Sequence, residues 1–196
     1  RSTLQLAKGR DFWILTQAET INAFLPLRND LQRVGLASYV IELLDKFTYE
    51  DGPNPQLYNL VVETLERLTS DEPVFVIFRY FEMRLLDLLG YRPQLFQCVA
   101  CRRQIEPVTN FFSPADGGIL CADCGQNHRG AREITLNALK VLRFLQTRDY
   151  DTCRRLRLSR PLHRELEKVM YDYVTYTLER NLKSVKFLNT LRRQGR

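Results

Sequence analysis

The spacing of four cysteines constrains this chain more than any other feature of its sequence. Two C-x2-C pairs, Cys98 with Cys101 and Cys121 with Cys124, are separated by nineteen residues. This spacing is typical of structural zinc sites, because two short loops can close a tetrahedron of thiolates around one ion. Four thiolates leave no coordination position for water or substrate, so the pattern predicts a structural Zn²⁺ and not a catalytic one.

The segment between the cysteine pairs predicts a zinc ribbon. Residues 110–112 and 118–120 flank the turn sequence Pro-Ala-Asp-Gly at 114–117, which is typical of a β-hairpin. Disulfide exchange is the alternative use of C-x2-C, but that motif usually begins a helix after a strand, and we expect neither pair to do so. The fifth cysteine, Cys153, has no partner in the sequence and is interpreted as a small buried side chain.

Helical periodicity dominates the rest of the sequence. Three helices are predicted before the ribbon: one from Asp30, one after the capping residue Asn54, and one over residues 74–89. The third is apolar almost all round, which is typical of the central helix of a bundle. In the first, the face predicted to enter the core carries Leu31, Val34, Ala37, Ile41, Leu44 and Phe47.

The same periodicity returns after the ribbon. It predicts a short helix over residues 136–145, a long helix after Ser159, and a last segment over residues 183–193. Neither half of the chain has enough amphipathic helix to close a core by itself. We therefore predict a mainly α fold, in which one helical bundle domain carries the four-cysteine zinc ribbon as an insertion at about residues 93–130.

The beginning of the chain shows a different pattern. Leu4 and Leu6 alternate with polar residues before a turn at residues 8–10, and Phe12 and Ile14 alternate after it. This alternation predicts a β-hairpin. Because two strands alone are marginally stable, we expect further strands or a helix to cover its apolar face.

Positive charge is concentrated in the last third of the chain. Residues 129–196 carry 17 Lys or Arg and 7 Asp or Glu, whereas residues 1–90 carry 9 and 13. Clustered cations favour a polyanion because its counterions are released on binding. The alternative interpretation of the same residues is a solvated helix face. The residues predicted to contact DNA phosphates are Arg154, Arg155, Arg157, Arg160, Lys183, Lys186, Arg192 and Arg193.

Two arginines interrupt the apolar helix at residues 74–89. Arg79 and Arg84 stand at helical spacing from Glu82 and Asp87, so ion pairs within the helix are the first interpretation. The second is that the two arginines bind the carboxylates of an acidic peptide.

The sequence indicates a protein without catalytic chemistry. It contains no P-loop and no H-E-x-x-H motif. His163 is expected to be exposed on the long helix. His128, four residues after Cys124, is either a substitute metal ligand or a loop histidine, and the complete set of thiolates favours the loop histidine.

Cysteines kept reduced for metal binding indicate a cytoplasmic protein. The sequence contains no signal-peptide pattern and no apolar run of transmembrane length, so we expect no contact with a membrane.

Four stretches carry a resemblance to a known family. They are FRYFEMRLLDLLGYRP at residues 78–93, the four-cysteine ribbon with NFFSP and GGILC, LKVLRFL at residues 139–145, and ERNLKSVKFL at residues 179–188. On these stretches, the chain resembles the RecO family of bacterial recombination mediators over nearly its whole length.

The resemblance implies a domain organisation. Members of the family have an N-terminal OB-fold followed by a helical domain, with a zinc ribbon in many members. We therefore expect residues 1–26 to be the C-terminal part of an OB-fold, most of whose strands are missing from this sequence. Residues 27–196 are expected to be the helical domain.

The resemblance also implies a function in DNA repair that is not enzymatic. RecO proteins bind single- and double-stranded DNA, anneal complementary strands and bind the tail of single-stranded DNA-binding protein. They act with RecR, and in many bacteria with RecF, to load the RecA recombinase. These properties imply a bacterial cytoplasmic protein associated with the nucleoid. The alternative is a zinc-ribbon protein of transcription or nucleic-acid processing, with the helical domain as its scaffold.

Overall fold

Helices make up most of the regular structure. A computed structural model describes residues 1–48, 52–70, 72–178, 184, 185, 188 and 190, and in this part of the chain it confirms the predicted mainly α class. The strands are β1 (Ser2–Lys8), β2 (Trp13–Thr20), β3 (Asn110–Ser113), β4 (Gly118–Leu120) and β5 (Arg132–Ile134). The helices are α1 (Leu25–Arg28), α2 (Leu31–Phe47), α3 (Pro55–Arg67), α4 (Val74–Leu88), α5 (Ala122–Gly125), α6 (Leu136–Thr147), α7 (Tyr150–Cys153) and α8 (Arg160–Leu178).

Helix α4 is the centre of the bundle. It packs against α3, α6, α7 and α8, and Phe81, Leu85 and Leu86 are fully buried at these contacts. The helix has no polar cap at its N-terminus, where Pro73 precedes it, and it is followed by Gly90 at φ 82°. That conformation favours glycine, so the chain can turn sharply towards the ribbon there.

The predicted starts of α2 and α3 are confirmed. The carboxylate of Asp30 accepts hydrogen bonds from the backbone N–H groups of Gln32 and Arg33, and the Asn54 side chain accepts one from the N–H of Leu57. These bonds satisfy donors that would otherwise lack an intrahelical acceptor.

The predicted core face of α2 is wrong in its phase. Val40 and Leu43 are fully buried, whereas Ile41 is 46% exposed and Leu31 is also exposed. The helix is apolar on two faces. The face that carries Tyr39 is buried, and the Tyr39 hydroxyl donates a buried hydrogen bond to Glu82 Oε1 in α4. That contact joins residues far apart in sequence, so periodicity could not reveal it.

The predicted hairpin near the N-terminus is present. Strands β1 and β2 pair antiparallel from Ser2 opposite Thr20, with a register shift between Gln5 and Leu6. The pairing places Leu6 opposite Leu15, and both side chains are exposed. The hairpin therefore presents an uncovered apolar face.

The four-cysteine ribbon contains a three-stranded sheet in the order β4-β3-β5. The β3–β4 hairpin was predicted, whereas β5 was not, and β5 leads directly into α6. Side chains of α6 hold the start of the ribbon. Gln146 Nε2 donates to the carbonyl of Pro93 at 2.8 Å, and Arg143 Nε donates to that of Leu95 at 2.8 Å.

The helix predicted over residues 183–193 lies mostly outside the described residues. Among the helices that the structure describes, none has both the length and the apolarity needed to span a bilayer.

The phase of α2 gives a testable pair of substitutions. Leu43→Ala should lower the free energy of unfolding by about 2–5 kcal/mol, because it leaves a cavity in the core. Ile41→Ala should change it by no more than about 1 kcal/mol, because that residue is 46% exposed and loses little burial. Urea unfolding followed by circular dichroism measures both values. If Ile41→Ala were the more destabilising substitution, the core face predicted from periodicity would be the correct one.

Candidate metal centre and binding surfaces

The structure brings the four cysteines of the two C-x2-C pairs together. Their sulfur atoms all lie within 4.8 Å of one another, although the two pairs come from separate loops. The distance between Cys101 Sγ and Cys121 Sγ is 3.8 Å. A tetrahedral ion with metal–sulfur bonds of about 2.3 Å would place its ligands about 3.8 Å apart. The four thiols can therefore hold a metal ion.

Backbone geometry fixes each cysteine loop. In the first loop, the N–H of Arg102 donates to the carbonyl of Cys98, and Arg102 adopts the left-handed conformation at φ 62°. In the second, Cys121 caps α5, which contains Cys124. The second pair thus lies in a short helix after a strand, contrary to our expectation from the sequence. The redox interpretation is still not favoured, because separate exchange motifs need no contact between the two pairs.

Close packing supports the second loop. A Cβ atom added at Gly125 would lie 2.4 Å from the ring of Phe111 in β3. Only glycine allows this approach without displacing the ring, so α5 is held directly against the ribbon's sheet.

The thiols of the cluster differ in acidity. The hydrogen bond from Arg103 lowers the pKa of Cys101 to about 6. Hydrogen bonding to Cys121 and Cys101 raises the pKa of Cys124 to about 12. The hydrogen bond from Arg103 thus favours the thiolate of Cys101, which is the form that binds metal.

Cys153 and the two histidines lie outside this cluster. Cys153 is fully buried, as predicted, and burial raises its pKa to about 11. His128 pairs with Asp116 across 3.1 Å. The prediction of an exposed His163 is wrong, because its ring stacks on Phe75 at a centroid distance of 4.0 Å. Burial there lowers the pKa of His163.

The predicted arginine cluster lies where α7 leads into α8. All four of its members in the described part of the chain are exposed. Arg154 forms ion pairs with Asp151 at 3.2 Å and Glu72 at 3.8 Å, and Arg157 donates to two neighbouring carbonyls. Their role in binding DNA stays a prediction. The other four predicted residues, Lys183, Lys186, Arg192 and Arg193, lie outside the described residues.

The predicted ion pairs of α4 are confirmed. Arg79 Nη2 lies 2.7 Å from Glu82 Oε1, with both side chains buried, and Arg84 Nη1 lies 3.9 Å from Asp87. Burial raises the pKa of Glu82, although the charge of Arg79 opposes the shift. Arg79 also donates long hydrogen bonds, of 3.4–3.5 Å, to two carbonyls of α8.

A groove of about 470 Å³ separates α2, α4 and α8. Its walls include Tyr39, Phe75 and Phe78, and the cations Arg164 and Lys168 of α8 also line it. Sequence analysis missed these two cations. The signal was their spacing, because Arg160, Arg164 and Lys168 recur every four residues and so share one face of a helix.

Arg79 and Arg84 do not meet at this groove. Arg79 lines it, whereas Arg84 is five residues further on and so points about 140° away around α4. There Arg84 donates to the carbonyls of Gln146 and Arg148 and lies over the ring of Tyr80.

Comparison with known proteins identifies the family. The family described as "Recombination protein O C terminal" matches residues 28–186. The chain belongs to the RecO family.

Its relatives in that family are called DNA repair protein RecO. The chain is 38% identical to the RecO of Roseiflexus sp. (strain RS-1) over 193 residues, which is 98% of the chain and 68% of that relative. It is 36% identical to that of Dehalococcoides mccartyi (strain ATCC BAA-2266 / KCTC 15142 / 195), over 98% of the chain and 76% of the relative. It is 35% identical to the RecO of Symbiobacterium thermophilum, over 96% of the chain and 76% of that relative.

Membership of the RecO family confirms the resemblance carried by the stretch at residues 78–93 and by the ribbon. It supports a role in DNA repair and recombination. The alternative, a ribbon protein of transcription, has no support from these relatives.

Proposed function

We propose that this RecO family member is a DNA-binding mediator that acts by holding partners together and not by catalysis. The observation that carries the proposal is the groove between α2, α4 and α8, which combines an aromatic wall with two exposed cations, Arg164 and Lys168, on either side of Glu167. Such a site suits an acidic peptide that ends in an aromatic residue, as the tail of single-stranded DNA-binding protein does. A chain that binds both this tail and DNA can help to load RecA where that protein covers the strand.

The metal centre has a structural role in this proposal. A tetrahedral set of four cysteines is the ligand set of structural Zn²⁺ sites, so Zn²⁺ is the ion that fits best, and it would stabilise the ribbon. The cysteines hold it, and no step of a reaction depends on it.

Metal analysis tests this role. Freshly purified, reduced protein should contain one zinc per chain, and Cys98→Ser or Cys121→Ser should remove it because the tetrahedron loses a ligand. Far-UV circular dichroism should show that the helices remain folded. Cys153→Ser is the matched control, since Cys153 lies outside the cluster, and it should keep the zinc. A wild-type protein without zinc would contradict the proposal.

The arginines between α7 and α8 are proposed to contact DNA phosphates, together with Lys183, Lys186, Arg192 and Arg193. Support comes from the exposure of all four arginines, Arg154, Arg155, Arg157 and Arg160, within seven residues of the chain. Phosphate contacts of this kind give affinity that does not depend on base sequence.

A triple substitution tests the DNA surface. Replacing Arg154, Arg155 and Arg157 by Ala should weaken binding to any DNA sequence. It should also reduce the slope of log affinity against log salt by about 0.9 for each lost phosphate contact on duplex DNA. The control replaces Arg92 and Arg129, two exposed arginines outside the cluster, and should keep the wild-type slope. If the triple variant keeps that slope too, the cluster is an ordinary solvated surface.

Arg79 is proposed to contribute to the tail site together with Arg164 and Lys168. Removing Arg79 would leave Glu82 as an unpaired buried charge, which costs about 3–5 kcal/mol of stability. Lys168 is exposed, so its removal tests the contact with the tail and not the fold.

Fluorescence anisotropy of a labelled tail peptide tests the groove. Lys168→Ala should weaken binding by about fivefold, as expected for an exposed ion pair. Removal of the terminal Phe from the peptide should weaken it by at least about tenfold, because an aromatic side chain is then no longer buried. Arg84→Ala is the control and should bind as wild type does. If Lys168→Ala binds the peptide as tightly as Arg84→Ala does, the tail does not bind in this groove.

The hairpin at the N-terminus is proposed to be the last part of an OB-fold, with residues 27–196 as the helical domain. Two findings support this division: the family match begins at residue 28, and the apolar face of β1 and β2 is uncovered. RecR, and in many bacteria RecF, are proposed as further partners at the nucleoid.

A further inference from the structure

Arg103 connects the two cysteine loops. Its Nε donates to Cys101 Sγ at 3.4 Å and its Nη2 to Cys121 Sγ at 3.8 Å. The same Nη2 lies 2.6 Å from Oδ2 of Asp123, which belongs to the second loop. One side chain therefore spans the cluster on the side of Cys101, its exposed cysteine.

The backbone prepares this contact. The N–H of Cys98 donates to the carbonyl of Arg103 at 2.9 Å, which closes the first loop and starts the Arg103 side chain beside the sulfur atoms. Asp123 lies within α5, one residue from Ala122 and from Cys124. Both ends of the bridge thus stand on ordered loops, although Arg103 is 62% exposed and Asp123 is 74% exposed.

Four thiolates around a divalent ion carry an excess of negative charge. A neighbouring guanidinium reduces that excess, and its directed N–H donors fix the orientation of the sulfur atoms. A lysine could supply the charge, but it is a point cation and lacks the fork of donors that reaches two sulfurs and a carboxylate together.

We propose that Arg103, anchored by Asp123, is a positioning residue of the metal centre that slows the loss of the ion. This inference rests on the proposed metal site. The residue acts through Cys101 and Cys121 and does not itself bind the ion.

The release of Zn²⁺ to an excess of a chromophoric chelator tests the inference. The reduced, metal-loaded full chain is compared with Arg103→Ala and with Arg129→Ala, an exposed arginine of the same ribbon. Arg103→Ala should release zinc about tenfold faster, in keeping with the usual effect of removing such a supporting contact. Arg129→Ala should release it at the wild-type rate. Arg103→Lys should fall between wild type and Arg103→Ala, because it restores the charge without the paired donors.

A spectroscopic measurement separates orientation from general loosening. In the Co²⁺-substituted protein, the sulfur-to-metal charge-transfer band should move to lower energy in Arg103→Ala, because the thiolates lose N–H donors and become more electron-rich. Asp123→Asn should give a smaller shift in the same direction, and it decides the question if Arg103→Ala does not fold.

The outcomes distinguish the two proposals. If Arg103→Ala matches Arg129→Ala in release rate and its band does not move, Arg103 has no positioning role and the metal site stands. If the wild type takes up neither Zn²⁺ nor Co²⁺, the metal site and the role of Arg103 are both wrong.

Discussion

The buried contact between Arg79 and Glu82 supports the arrangement of three helices. Glu82 accepts from Arg79 within α4 and from the hydroxyl of Tyr39 in α2, while Arg79 reaches the carbonyls of Leu166 and Glu167 in α8. Buried charges are tolerated only where partners surround them, so the three helices can approach in few ways. The groove lies between the same helices. Its shape therefore depends on this polar network as well as on the apolar core.

Local signals in the sequence predicted much of the fold. The caps Asp30 and Asn54 act on donors two or three residues away, so a short stretch contains all the information that a helix start needs. Spacing also predicted the ribbon, since the number of residues between Cys101 and Cys121 suits a hairpin that returns the chain. The phase of α2 could not be predicted in this way, because Tyr39 belongs to the core only when Glu82 is opposite to it.

The binding surfaces were harder to predict for the same reason. Arg79 and Arg84 look equivalent in sequence, yet the helical rotation between them sends one to the groove and the other to the end of α6. Lys168 was missed because it lines the same groove as Phe75 and Phe78 only once α8 packs across the bundle. The sequence places Arg103 two residues after Cys101, so a contact between them could be predicted. The contact of Arg103 with Asp123 could not, because it depends on the fold of the ribbon.

The attachment of the ribbon to α6 bears on the energetics of metal binding. Gln146 and Arg143 hold the start of the ribbon, at Pro93 and Leu95, to the bundle, and Gln94 exchanges backbone hydrogen bonds with Gly117 in the β3–β4 turn and Ile119 in β4. These contacts bring the two cysteine loops together without help from the sulfur atoms. Protein contacts therefore help to offset the entropic cost of bringing together the two cysteine pairs, which nineteen residues separate. For an ion bound as proposed, the affinity would then depend more on the chemistry of the four sulfur ligands than on the ordering of the chain around them.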